Sequence, residues 1–284
     1  MTDFTVVNFF NRFPNDNACL DHLMEVRYGT VITCPKCSKG GKYHRVKKRP
    51  VYECQWCRYQ ISPMAGTPFE RSRTPLQKWF YAMYLFTTSC HGVPAKELQR
   101  QLGVTYKCAW RMGHEIRKYM GKVDGDNGLS GHVEVDETYV GGKRPGKRGR
   151  GASDKTVVFG MAEREGDVMT KVVPDAKTRT LAPIINTNIT KNSTVSSDEW
   201  YAYRGLSKQG YQHGTVEHGK EEYVNCIHHT NSIEGFWSRL KNSIRGTHIH
   251  VSKKYLPNYL GEFEYRYNRR KSPAWMFERL LGAF

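Results

Sequence analysis

At 284 residues the chain is long enough for one larger domain and one or two small ones. Its 44 lysines and arginines against 27 aspartates and glutamates leave a formal charge of +17, which favours a polyanionic partner, nucleic acid first. No apolar stretch approaches bilayer length, and the opening MTDFTVVNFFNRF has neither the basic start nor the long apolar run of a secretory signal. A non-membrane protein in the cytoplasm, associated with the nucleoid, is therefore expected, or one in the nucleus if the host is eukaryotic.

Residues 1–30 form an N-terminal helical segment, in which Cys19, Leu20, Leu23 and Met24 share one face of a helix predicted over 15–28. Residues 31–62 read as a zinc ribbon. Cys34-Pro-Lys-Cys37 and Cys54-Gln-Trp-Cys57 are paired CxxC knuckles, with strand-like segments 42–46 and 50–53 between them. Four thiolates at this spacing complete one closed, structural Zn²⁺ site. A redox CxxC is the alternative, against which the repetition and the absence of a neighbouring βαβ pattern both count. Cys19, Cys90, Cys108 and Cys226 stand apart and read as small apolar fillers.

Residues 63–120 are predicted to be largely helical. One helix starts at Thr74-Pro75, where proline suits the first turn, and is apolar on most sides through Ser89. From about 93 to 118, two helical segments flank the tight turn Gly103-Val104, a helix-turn-helix pattern. It places Tyr106, Lys107 and Arg111 near the start of the second helix, within reach of base edges or phosphates. An ordinary αα-hairpin fits the same pattern. Residues 121–131, GKVDGDNGLSG, read as a linker.

Residues 132–284 form the larger domain. Strands are predicted near 132–137, 156–163, 168–174 and 194–198. Helices are predicted over 178–189, briefly after Trp200, and near 231–245 and 252–268. This order is α/β in class and suits an RNase H-like core. The loop 141–155 carries Lys143, Arg144, Lys147, Arg148 and Arg150 among glycines and cannot bury a core. It is either a solvated charge run or a segment ordered by a phosphate backbone, and its place after Asp136 favours a DNA clamp.

Three acids stand out in this domain. Asp136 lies on a strand whose Val133 and Val135 face one way and Glu134 and Asp136 the other, and Asp198 ends a second strand. Ligands bind beyond the carboxyl ends of strands. Glu234 falls near the first turn of a helix marked by Ile233, Trp237, Leu240 and Ile244. Asn231 followed by Glu234 also fits a helix-capping arrangement, so Glu234 reads either as a cap or as a ligand. Each aspartate alone could be an ordinary strand-end acid. Together, in so basic a chain, the three read as hard oxygen ligands for a divalent cation. Trp237 is expected to pack, and Trp200 either to pack or to stack on a base.

The succession zinc ribbon, helix-turn-helix, VEVDETYVGGK, SSDEWYAY and NSIEGFWSRLK, followed by VSKKYLPNYLGEFEYRYNRR, resembles the DDE transposases of bacterial insertion sequences, in the branch related to Merlin elements. The likeness covers nearly the whole chain. It implies an RNase H-like catalytic domain in which Asp136, Asp198 and Glu234 bind two Mg²⁺ or Mn²⁺ ions. Lys241, on the same helical face as Glu234, would grip a phosphate, and Asn231 would rival or assist Glu234. The partners implied are double-stranded DNA, as terminal inverted repeats and as target, and further copies of the chain. The reaction implied is cleavage of the element ends and joining of their 3′-hydroxyls to target DNA. A silent DNA-binding regulator, and a metal-dependent nuclease or resolvase without joining, remain as alternatives.

Overall fold

The computed structural model describes residues 5–47, 49–125, 128–141, 155–217 and 224–284. The chain divides into two compact units, residues 1–119 with 272–284, and residues 120–271.

In the first unit, α1 (Val6–Arg12) and α2 (Asp16–Tyr28) each start at a polar cap: Thr5 Oγ1 accepts the amide of Asn8, and Asn15 Oδ1 that of Ala18. The ribbon follows as β1 (Ile32–Thr33) paired with β2 (Gly40–Gly41), and β3 (Tyr43–Arg45), β4 (Tyr52–Cys54) and β5 (Gln60–Ile61) in an antiparallel sheet. Helix α3 (Leu76–Thr88) is buried along most of its length, as its composition predicts, with Pro75 as its N-cap rather than inside its first turn. Helix α4 (Ala95–Leu102) stops at Gly103, whose φ of +58° closes it in the left-handed conformation glycine adopts without strain. Helix α5 (Tyr106–Asp124) then runs well past the predicted end near residue 117. The expected linker at 121–131 is thus helical at its start. Gly121 sits in that helix because a Cβ there would lie 3.3 Å from the Cα of Gly261, so this glycine serves a close approach rather than a turn.

The second unit is mixed α/β. Strands β6 (His132–Val140), β7 (Thr156–Glu163) and β8 (Val168–Val173) are antiparallel. After α6 (Thr178–Asn188), β9 (Thr194–Asp198) pairs in parallel with β6, and β10 (Gln212–Val216) in parallel with β9. The sheet order is β10-β9-β6-β7-β8. Two short 3₁₀ turns, Tyr201–Tyr203 and Ser207–Gln209, occupy the place of the short helix expected after Trp200. Val133, Val135, Phe159 and Met161 bury one sheet face with Leu181 and Ile185 of α6. On the other face, Val158 and Ala162 pack with Ile233, Trp237 and Leu240 of α7 (Asn231–Ser243) and with Leu260 and Phe263 of α8 (Leu256–Asn268).

The final helix, α9 (Pro273–Gly282), belongs to the first unit rather than to the domain predicted over 132–284. Aromatic packing accounts for this: Phe277 meets Phe9, Phe13 and Tyr84, and Phe284 stacks on Tyr119.

How closely α7 approaches the sheet is set at Gly160 of β7. A Cβ there would lie 2.4 Å from Cζ2 of Trp237 and 2.9 Å from Cδ1 of Ile233, so only glycine admits the indole. Gly160 is also the cross-strand partner of Asp136. Gly160→Ala is accordingly predicted to lower the free energy of urea unfolding by about 1–3 kcal/mol, the usual consequence of overpacking a core. An unchanged unfolding midpoint would mean that α7 is not seated this way.

Candidate functional site

The four ribbon cysteines converge. Their sulfurs all lie within 4.8 Å of one another, with Cys34–Cys57 at 3.6 Å and Cys37–Cys54 at 3.9 Å. A tetrahedron of thiolates around Zn²⁺ at about 2.3 Å has edges of about 3.8 Å, close to both of these separations, so the donor set suits zinc. Both knuckles are built alike. The amides of Cys34 and Cys54 donate to the carbonyls of Lys39 and Tyr59, Ser38 and Arg58 donate back to the carbonyls of Cys34 and Cys54, and both of these residues have φ near +60°. Cys19 is buried as expected of a filler and Cys108 is half-buried, but Cys90 and Cys226 are exposed and fill no core.

In the second unit the three acids also come together. Strands β6 and β9 pair in parallel as far as Glu134 opposite Ser196, two residues before Asp136 and Asp198, and the charges of Asp198 and Glu234 both act on the Asp136 carboxyl. Burial first, and then the negative charges of Glu137, Asp198 and Glu234, together push the Asp136 carboxyl up to about 8 against the opposing effect of a backbone amide. Asp136 Oδ2 accepts the indole N–H of Trp237 at 3.0 Å, so this tryptophan packs and also holds an acid of the cluster. Asp198 Oδ1 accepts the amide of Trp200 at 3.0 Å, turning the chain out of β9. The Trp200 indole donates to the carbonyl of Ala176. Glu234, exposed in the first turn of α7, accepts the hydroxyl of Thr230 at 2.6 Å. Lys241, farther along α7 and half-buried, has its ammonium pKa lowered by burial, while the charge of Asp136 works to restore it. Three carboxylates acting on one another in this way are a hard-oxygen donor set suited to a divalent cation.

The capping arrangement predicted between Asn231 and Glu234 is not formed. Thr230 is the N-cap, its side chain does not cap the helix, and Asn231 is the exposed first helical residue. The orphan amides are met instead from the sheet. Glu134 is fully buried; its Oε2 accepts the amides of Ser232 at 2.7 Å and Ile233 at 3.1 Å, while Oε1 accepts the Ser232 hydroxyl and Arg164 Nε, each at 3.0 Å. His229 Nδ1 lies 3.0 Å from the same Oε1. A carboxylate at a helix N-terminus also satisfies the positive end of the helix dipole.

From Arg164, just after β7, a polar chain runs across β6 and β9. Arg164 can only donate, so His132 Nδ1 is the acceptor at 3.0 Å. His132 Nε2 therefore carries the proton donated to Ser196 Oγ at 2.7 Å, and that hydroxyl donates to His228 Nδ1 at 2.8 Å. Burial, with Arg164 next, holds the His132 pKa down at about 4, in keeping with a neutral ring. The His228 ring lies 2.2 Å from where a Cβ on Gly214 would stand. Sequence reasoning set Glu134 on the face of Asp136 without assigning it a role.

Tyr106, Lys107 and Arg111 are exposed near the start of α5 in the first unit. Lys96 Nζ lies 5.1 Å over the Tyr106 ring, and Arg111 lies over Trp79 and donates to Ser72 Oγ. Lys143, Arg144, Lys147, Arg148 and Arg150 lie outside the described residues.

Residues 128–268, from just before β6 to the end of α8, match the sequence profile of the ISXO2-like transposase domain, and residues 14–60 match that of the transposase zinc-ribbon domain. A protein of transposable element ISH50 from Halobacterium salinarum is 30% identical over 286 residues, 92% of this chain and 94% of that one. The chain belongs to the ISXO2-like transposases. A transposase-like protein of Haemophilus influenzae is 29% identical over 101 residues, 36% of this chain and 80% of its own. Among solved structures, the Mos1 strand transfer complex aligns at 11% identity and a TM-score of 0.32, over 67% of this chain and 74% of that one. With the ribbon profile spanning all four clustered cysteines, this transposase carries a structural zinc site. Among the described residues no helix is long and apolar enough to cross a membrane.

The raised carboxyl of Asp136 has a consequence for stability. Its ordinary value is 3.8 and its folded value about 8. Between these the folded chain holds a proton that the unfolded chain has released, so the fold loses stability as pH rises through that window. Relative to Asp136→Asn, the thermal midpoint of the divalent-cation-free wild-type protein is predicted to fall between about pH 4 and about pH 8. Equal pH slopes in the two proteins would contradict the clustered acids.

Proposed function

We propose that this chain is a DNA transposase that binds the terminal inverted repeats of its element, cleaves the ends and joins their 3′-hydroxyls to target DNA. The observation that carries the reading is the meeting of Asp136, Asp198 and Glu234 within the domain matched by the transposase profile. The sheet supports an RNase H-like core, since three antiparallel strands are followed by two parallel ones added beside the first.

Asp136, Asp198 and Glu234 would hold two divalent ions, Mg²⁺ or Mn²⁺, which when bound activate the attacking oxygen and stabilise the leaving one. Trp237 fixes the Asp136 carboxylate by its indole N–H. Asp198 is held by the amide of Trp200, and Glu234 by the hydroxyl of Thr230. Lys241 supplies a positive charge near Asp136 and suits a DNA phosphate approaching the acids. Asn231, exposed three residues before Glu234, remains an auxiliary donor at that corner. In the first unit, α4 and α5 around Gly103 serve as a helix-turn-helix, with Tyr106, Lys107 and Arg111 facing DNA. The basic loop at 141–155 acts as a clamp on the backbone. Two element ends must be held at once, which calls for further copies of the chain on DNA.

Asp136→Asn, Asp198→Asn and Glu234→Gln are each expected to cut Mg²⁺-dependent nicking and strand transfer by at least about 10²–10³-fold, the loss when one fixed electrostatic partner of a transition state is removed. Binding to the inverted repeats should persist. Strand transfer retained in all three variants would sink the reading. Wild-type binding without nicking would point to a regulator, and nicking without joining to a nuclease or resolvase.

A further inference from the structure

We infer that Glu134 is a positioning residue that pins the start of α7, and with it Glu234, to the strand that carries Asp136. The inference rests on the reading of Asp136, Asp198 and Glu234 as one metal-binding set.

Glu134 is fully buried and receives donors from separate parts of the chain: Ser232 and Ile233 at the start of α7, and Arg164 just after β7. If only stability were needed here, an apolar pair of similar volume would serve as well or better than a buried ionic one. A carboxylate adds a fixed geometry. It presents one oxygen to two successive helix amides and the other to a guanidinium, so the helix can neither slide nor rotate without breaking several of these bonds. Arg164 extends the hold to the segment leading into α7, donating to the carbonyls of Ile227 at 2.7 Å and His229 at 3.3 Å.

The spacing of the two pins on α7 fits this role. Glu134 and Asp136 are two residues apart on one face of β6, about 6.6 Å at the rise of a strand. Their partners, Ser232 and Ile233 for the first and Trp237 for the second, lie four to five residues apart on α7, about 6–7.5 Å at the rise of a helix. The two elements are thus joined at matched intervals, and Glu234 lies on the helix between the pins. Its distance from Asp136 is set by Glu134 on one side and Trp237 on the other.

Glu134→Gln tests this, because it keeps the shape but turns one acceptor oxygen into a donor amide facing other donors. In the divalent-cation-free protein, amide exchange in the peptide over residues 230–240 should quicken about tenfold, with peptides over β7 and β8 unchanged. The Mn²⁺ concentration that half-saturates nicking of inverted-repeat DNA should rise about 10–100-fold, the loss usual when a group orienting a metal ligand is removed. Nicking at saturating Mn²⁺ should return close to wild type. A lesion that merely reduced the folded fraction would lower the plateau and leave half-saturation where it was.

If Glu134→Gln does not fold, Ser232→Ala, which removes one donor and keeps the backbone, is read the same way with smaller shifts in the same direction. Unchanged exchange, or faster exchange with unchanged half-saturation, overturns the proposal. If wild type nicks no DNA, or Asp136→Asn nicks as well as wild type, the metal-site reading fails instead, and the exchange result alone then decides whether Glu134 pins α7.

Discussion

The seat of α7 on β6 and β7 is the contact on which the second unit turns. Gly160 leaves room for an indole, and Trp237 fills it. A buried indole N–H needs an acceptor, and Asp136 supplies one. The same approach brings the first amides of α7 over Glu134, which meets them from the sheet. Apolar burial by Ile233, Trp237 and Leu240 drives the contact, while the two carboxylates decide its register. With α7 in place, Glu234 and Lys241 are both delivered to the neighbourhood of Asp136.

That delivery is electrostatically unfavourable by itself. A chain of net charge +17 gathers acids where strands β6 and β9 run side by side, and the mutual repulsion contributes to holding a proton on Asp136 well above the usual carboxylate range. An acid cluster kept at this cost within a basic protein is the physical motive for reading it as a cation site. The ribbon answers a different need. Its strands are two or three residues long and too short to bury a core of their own, so the fit of four sulfurs to Zn²⁺ takes over the work of packing.

What the sequence made legible follows the range of the signal. The cysteine knuckles could be read outright because their ligands come in local pairs at fixed spacing. Strands β6 to β9 and helices α6 to α8 were legible from period alone. Strand β10, Gln-His-Gly-Thr-Val, was not, being short and polar at the sheet edge, and α1 is only seven residues long. Gly121 was read as part of a linker because a glycine that admits a neighbouring helix and one that ends a helix look alike in sequence. The Asn231–Glu234 cap was a sound local inference that a long-range contact displaced. Glu134 reaches its amides across 98 and 99 residues, and no local pattern announces that. The neighbouring placement of Asp136 and Asp198 likewise depends on a parallel pairing made through a crossover.

If Asp136, Asp198 and Glu234 form one divalent-cation centre, crystals grown with Mn²⁺ and measured for its anomalous scattering will show peaks bounded by carboxylate oxygens of all three residues within about 2.0–2.6 Å, the range of hard-cation ligands. Mn²⁺ ordered elsewhere on the chain, with these three carboxylates unliganded at the same concentration, would contradict a shared centre.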